Sequence, residues 1–327
     1  MKFRTYAYGI AIALLVVLPL AANGLDQRFY IGLASRVLIF AMAASSLNLL
    51  LGYGGMLSFG HAAYLGIGAY TVAILARHAE SNTLLLGFLP GTTSAWIAWP
   101  AAALISGLCA WLIGAIALRT RGVYFIMITL AFAQMFYYFF VSLQIYGGDD
   151  GLTLNRRSEL GSSFDLGDDT HFYFVVLALF LATIFCLHRI THARFGRVLL
   201  GIRDNEFRME AIGFPTQRFK LVCFVIGGAI AGLAGALLVN HNNFISPNTL
   251  YWTQSGTLLI MIIVGGVGHL LGGVIGAAIL LLLEECLSGY TQHWQLALGL
   301  MLLGVVFLAP KGVASILQRR NKVTISS

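Results

Sequence analysis

Charge is what this sequence has least of. Only 10% of its 327 residues are charged, against about 25% in soluble globular domains. Apolar runs of bilayer-crossing length recur along it, which excludes a soluble protein with a large core. Lysine is scarcer still: Lys2, Lys220, Lys311 and Lys322 are all there are, and none completes a G-x-x-x-x-G-K-[ST] loop. H-E-x-x-H and G-x-S-x-G are missing as well. The chain therefore carries no machinery for hydrolysing ATP or a covalent substrate and reads as a non-enzyme. Any ATP-driven work would sit on another chain. The four cysteines, Cys109, Cys186, Cys223 and Cys286, are scattered through apolar runs without a C-x-x-C pair. They read as small core residues, not as a disulfide framework or a metal site. No set of residues suggests a bound cofactor.

What the chain does have is apolar length. Ten spans are expected at about 8–22, 29–51, 57–76, 95–118, 122–145, 171–188, 219–240, 252–267, 270–288 and 293–309. The expected fold is all-α: a polytopic transmembrane bundle forming one domain over 1–327. Lys2 and Arg4 precede an apolar run, as in a signal peptide. Leu20-Ala-Ala22 lacks small residues at both positions of an A-x-A site, so an uncleaved first span is expected.

The net charge of +7 would suggest nucleic acid in a soluble protein. Here it follows the rule that cytoplasmic loops are enriched in Lys and Arg. With the N-terminus inside, fifteen basic residues fall in cytosolic segments, and only Arg28, Arg77, Arg156 and Arg157 fall outside. Both termini are then cytosolic. So is the loop 189–220, which holds Arg189, Arg194, Arg197, Arg203, Arg208, Arg218 and Lys220. The loop 146–170, with Asp149, Asp150, Glu159, Asp165, Asp168 and Asp169, is external and acidic.

Two glycine-rich segments stand out, Leu51–Tyr70 and Val264–Ala278. Each has a Gly-Gly pair followed by a histidine. One reading is close helix packing through small residues, favoured for Gly66, Gly68, Gly272, Gly273 and Gly276. The other is a helix break lining a transport path, favoured for Gly54, Gly55, Gly265 and Gly266. The candidate pathway set is Tyr53, Gly54, Gly55, Ser58, His61, Gly265, Gly266 and Gly268. His61 and His269 suit hydrogen-bonded structural roles better than ligand roles. Three intramembrane charges remain. Arg36 could snorkel outward, and Glu284 and Glu285 could simply be wet.

Inside the basic loop, Arg203–Gly213 reads as a short helix. Asp204 is the candidate N-cap, Glu206 lies in the first turn, and Gly213 followed by Pro215 is the stop. Phe207, Met209, Ala211 and Ile212 offer apolar contacts, while Arg208 and Glu210 stay polar. Those apolar residues must pack on the membrane helices or enter a partner's groove. The candidate coupling set is Arg203, Asp204, Glu206, Phe207, Arg208, Glu210 and Gly213.

Asn48-Leu-Leu-Leu-Gly-Tyr-Gly-Gly-Met-Leu-Ser-Phe-Gly-His-Ala-Ala-Tyr-Leu-Gly-Ile-Gly-Ala-Tyr70 resembles the signature of permeases from branched-chain amino-acid ABC importers, LivM type. Arg121–Gln134, Gly147-Gly-Asp-Asp-Gly-Leu152, Arg194–Glu206, Glu210-Ala-Ile-Gly213, Ala231–Ala236 and Ile263–Gly268 are similar to further motifs of that family, in the same order. The resemblance covers about Arg36 to Leu283. It implies an inner-membrane subunit of a bacterial importer, working by alternating access, with a second homologous permease beside it. Two cytosolic ATP-binding subunits would lie below and a periplasmic substrate-binding protein above. Membrane lipid would surround it, and no nucleic acid would be involved. The substrate implied is a branched-chain or related neutral amino acid; the family also has permeases for urea and other amides. Met56 and Asn205 stand where many relatives have a glutamine and an acid. A stand-alone ion-coupled transporter is the rival from another class. It would want paired intramembrane acids, for which only Glu284 and Glu285 qualify.

Overall fold

Free of proline from Phe29 to Asn48, the chain winds into helix α1, and Leu49–Tyr53 continues it as a π-helical turn. In this computed structural model, residues 15–19, 29–85, 89–161, 165–290, 293–308 and 312–313 are described. The helices that follow are α2 (His61–Glu80), α3 (Ala95–Ala117), α4 (Val123–Ser142), α5 (Asp169–His192), α6 (Arg194–Asp204) and α7 (Glu206–Ala211). Then come α8 (Thr216–Asn242), α9 (Trp252–Gly265), α10 (Gly272–Ser288) and α11 (Trp294–Leu308).

Among the described residues, five helices are long and apolar enough to cross a membrane: α1 with its π turn, α3, α4, α5 and α8. The ten-span expectation differs here in particular ways. The segment 8–22 lies mostly outside the described residues, with only 15–19 seen as helix. At 20 residues α2 is long enough, but its glycines, tyrosines and histidines lower its hydropathy. The helices α9, α10 and α11 have 14, 17 and 15 residues, short of the roughly 20 that a full crossing takes.

Helix α8 is the pillar of the bundle. Its small residues let α2 and α3 approach backbone to backbone, the usual device where lipid gives no hydrophobic drive between helices. A Cβ on Gly68 would fall 2.1 Å from the Gly232 carbonyl oxygen, and one on Gly235 would fall 1.8 Å from that of Leu65. Ser106 of α3 donates to the Tyr64 carbonyl across the same seam at 3.0 Å. For α1, 83% of the apolar window is buried, and for α4 only 22%. So α1 lies inside the bundle, while α4 turns Tyr124, Met127, Met135, Tyr138 and Phe139 outward.

The bundle has two chemically distinct ends. At one, the acidic end, the loop 146–170 fastens several helices. Ala95 donates to the Glu159 carbonyl, Asn155 to Glu80, and Arg157 to the carbonyl of Asn240 and the carboxylate of Asp169. Strand β1 (Leu152–Thr153) pairs there antiparallel with β2 (Phe244–Ile245). The chain then turns back inward. Leu250, fully buried, fills the notch left by Gly66, and α9 starts only at Trp252. At the other, the arginine end, α1 finishes against α6, and Arg121 beyond α3 reaches α7.

Candidate functional site

The two glycine-rich segments meet at the arginine end. The π turn leaves Gly52 facing the loop after α9, and a Cβ there would lie 2.5 Å from the Gly268 nitrogen. Asn48 stitches the contact: its side-chain NH2 donates to the His269 carbonyl at 2.7 Å, and its oxygen accepts from the Gly268 N–H at 3.0 Å. Arg203 of α6 closes the junction by donating from Nη1 to the Gly52 carbonyl at 2.6 Å. Gly55, at φ +67°, lets the chain turn away with its Cα close to the Arg203 side chain. A π turn and left-handed residues clustered together are typical of functional sites.

The sequence-expected residues divide accordingly. Gly55, Gly266 (φ +118°) and Gly268 (φ +78°) are true backbone breaks. Gly54 is helical, following the π turn, and Gly265 is the last residue of α9, packed on the Gly272 carbonyl of α10. Tyr53 ends the π turn, half-buried. Ser58 is buried and accepts from the Gly60 N–H. His61, also fully buried, bonds Ser46 at 2.7 Å. Because Ser46 donates to the Ala43 carbonyl, the His61 Nε2–H is the donor, and the ring ties the start of α2 to the middle of α1. Gly54 and Gly55 line a hollow of about 380 Å³ together with Arg203, Asp204, Glu206 and Phe207. Residues that the sequence assigned to separate pathway and coupling sets thus share one surface.

The helix expected at 203–213 also needs correction. Asp204 is the last residue of α6, and the N-cap of α7 is Asn205, whose side chain accepts from the Arg208 N–H at 2.9 Å. Asp and Asn cap equally well; the extended backbone at Asn205 (φ −161°) decides between them. Glu210 is ion-paired within the chain while its side chain stays 38% exposed. It receives Arg121 at 3.1 Å and the Thr216 hydroxyl at 2.9 Å, while Glu206 receives Lys220 at 2.5 Å. Met209 turns inward onto Gly201. The stop is as expected: Gly213 has φ +95°, its N–H reaches the Glu210 carbonyl, and the Phe214 N–H reaches that of Met209. That is a Schellman closure. Phe207 and Ile212 are left 70% and 65% exposed. They form an apolar tip beside Arg208, and Arg121 lies 4.7 Å over the Phe207 ring.

A second feature opens at the acidic end. A cavity of about 600 Å³ runs inward from Phe29, Asp169 and Asn242 to Ala62 at the start of α2 and Leu258 in α9. Arg36 stands in its wall and does not snorkel away: it pairs with Glu284 of α10 at 3.0 Å. Glu285, Gln254, Thr249 and His241 line it as well. Sequence reasoning noticed Arg36 and the two glutamates separately, with nothing to join positions 248 residues apart. It missed Asn48 altogether, although a lone amide in an apolar run was a readable signal.

Residues 29–310 match the family described as branched-chain amino acid transport system / permease component. The chain belongs to that family. Among curated relatives, the permease is 26% identical over 322 residues to the high-affinity branched-chain amino acid transport system permease protein LivM of Salmonella typhimurium, covering 91% of this chain and 73% of the relative. It is 26% identical to the probable LivM of Methanocaldococcus jannaschii, covering 83% and 87%. It is 25% identical to the LivH permease protein of Salmonella typhimurium, covering 84% and 90%. No solved structure matches it. The permease is a membrane transport subunit, not an enzyme. Asn48 and Arg203 both hydrogen-bond the backbone where its two glycine-rich turns meet.

Proposed function

We propose that this chain is one permease subunit of an ATP-driven importer that brings branched-chain or related neutral amino acids across a bacterial inner membrane. Its ten apolar segments cross an even number of times and leave both termini in the cytoplasm. The inward-turning stretch 244–250 and the short α9 together make one crossing. The arginine end faces the cytosol and the acidic end faces the periplasm, where a binding protein delivers the solute. The partners are a second, homologous permease, two ATP-binding subunits and that binding protein. The loop 189–220 is the coupling element of a single transmembrane domain.

The observation that carries this reading is the Arg203 bond to the Gly52 carbonyl. It links α6, and through Asn205 the helix α7, to the place where both glycine turns close the bundle. A partner that seats the Phe207–Ile212 tip and moves on ATP binding would pull on that closure. The stand-alone ion-coupled alternative loses its pair of acids, because Glu284 is ion-paired with Arg36.

The experiment is purification from native membranes, followed by reconstitution into proteoliposomes with the cognate binding protein. Co-purification of ATP-binding chains, ATPase stimulation by the binding protein and uptake of leucine, isoleucine or valine are expected. Urea uptake without leucine uptake would reassign the substrate. Uptake by the chain alone, driven by an ion gradient, would overturn the importer reading.

A further inference from the structure

The cavity at the acidic end has a chemistry that the import reading does not by itself predict. Its lining is mixed: Arg36, Asp169 and Glu285 carry charge, and Leu33, Leu65, Leu238 and Leu258 are apolar. Arg36 makes a single hydrogen bond among the described residues, through Nη2 to Glu284, and its Cζ lies 5.9 Å from the Phe40 ring. A guanidinium has five N–H donors in a planar fork that suits a carboxylate, so most of that capacity stays open on the cavity. Glu285 lines the same space and has no cationic partner among the described residues. Leu65, Leu238 and Leu258 form the inner, apolar part, near the start of α2. The volume, about 600 Å³, lies within the range of about 300–1,000 Å³ usual for small-molecule sites.

A cation and an anion without a cationic partner among the described residues, in one lining with aliphatic side chains, match the three parts of an aliphatic α-amino acid zwitterion. We infer that this cavity is a substrate subsite of the permease itself, with Arg36 taking the α-carboxylate, Glu285 the α-ammonium and the leucine-lined inner end the side chain. Glu284 is a positioning residue that holds the Arg36 fork toward the cavity. The inference rests on the import reading and adds to it that head-group recognition is built into the membrane path as well as into the delivering protein. A path permissive to any neutral solute would need none of these charges.

The test uses the complete importer in proteoliposomes, with leucine-loaded binding protein as the varied substrate. Glu285→Gln and Arg36→Gln should each lower kcat/KM for uptake by about tenfold or more, as expected for losing a charge-assisted bond. The exchange Arg36→Glu with Glu284→Arg keeps the ion pair and should assemble, yet it should not restore uptake. If Arg36 only braces α1 against α10, the exchange restores uptake, and that result overturns the subsite. Wild-type kcat/KM in Glu285→Gln overturns it too. Should Arg36→Gln fail to assemble, Glu285→Gln and Arg36→Lys decide. A Thr249→Cys reporter, treated with a water-soluble thiol reagent, should be protected by L-leucine and not by leucinamide, which lacks the carboxylate. Equal protection by both counts against Arg36. Leucine uptake by the wild-type complex with unaffected variants overturns the subsite alone; no leucine uptake by the wild type overturns the import reading and the subsite together.

Discussion

Replacing Arg203 by alanine should uncouple ATP hydrolysis from transport without dismantling the complex. The substitution removes the 2.6 Å donor to the Gly52 carbonyl and the side chain packed over Gly55. A hydrogen bond to a charged group contributes about 1.5–3 kcal/mol. The Arg203 side chain is 39% exposed, so water competes and about 1–2 kcal/mol is the appropriate range. That amount shifts a two-state equilibrium about 5- to 30-fold. The equilibrium in question is whether the 203–213 segment and the Gly52–Gly268 junction move together. In proteoliposomes, ATP hydrolysis should continue while leucine taken up per ATP falls about fivefold or more. Arg203→Lys keeps the charge without the planar fork and should lie between. An unchanged uptake-to-ATP ratio in Arg203→Ala would refute the reasoning. So would loss of the ATPases from the complex, because the residue would then serve assembly and not transmission.

Gly52→Ala forces a Cβ to within 2.5 Å of the Gly268 nitrogen and of the Asn48 oxygen; overpacking of about 1–3 kcal/mol should lower the Tm of the purified complex and reduce uptake. Lys220→Met takes from Glu206 its closest cation and leaves Arg121 at 3.6 Å. Loss of that charge-assisted bond, about 1.5–3 kcal/mol, should loosen α7, which would be read as weaker ATPase retention in pull-downs. Phe207→Asp together with Ile212→Asp should abolish ATPase retention with the bundle still inserted, because these are the large exposed apolar side chains of α7 and its C-cap; full retention would make α7 an ordinary solvated turn. Cysteine at Asn155 should label from outside intact cells, and cysteine at Arg208 only after permeabilisation; external labelling at Arg208 would reverse the orientation.

The class of this protein was written along the chain. Scarce charge, recurring apolar runs and the clustering of seven basic residues in 189–220 are local properties, set by transfer free energy, and they need no contacts to be read. The Gly213 stop was legible for the same reason, since a cap is decided by its nearest neighbours. The boundary at Asn205 was not, because Asp204 and Asn205 are chemically equal candidates and only the packing of α6 separates them. The partners of Glu210 were not legible either, because Arg121 and Thr216 lie on other segments. Periodicity could mark Gly54, Gly55, Gly265 and Gly266 as special. It could not say that Gly52 would touch Gly268, nor that Arg203 would bond across 151 residues. The same holds for Arg36, whose partner is 248 residues away. A buried polar group must find a partner wherever the fold provides one. Sequence by itself thus determined that these groups require company in the membrane, and only tertiary structure decided which, since contacts between distant segments depend on how whole helices pack.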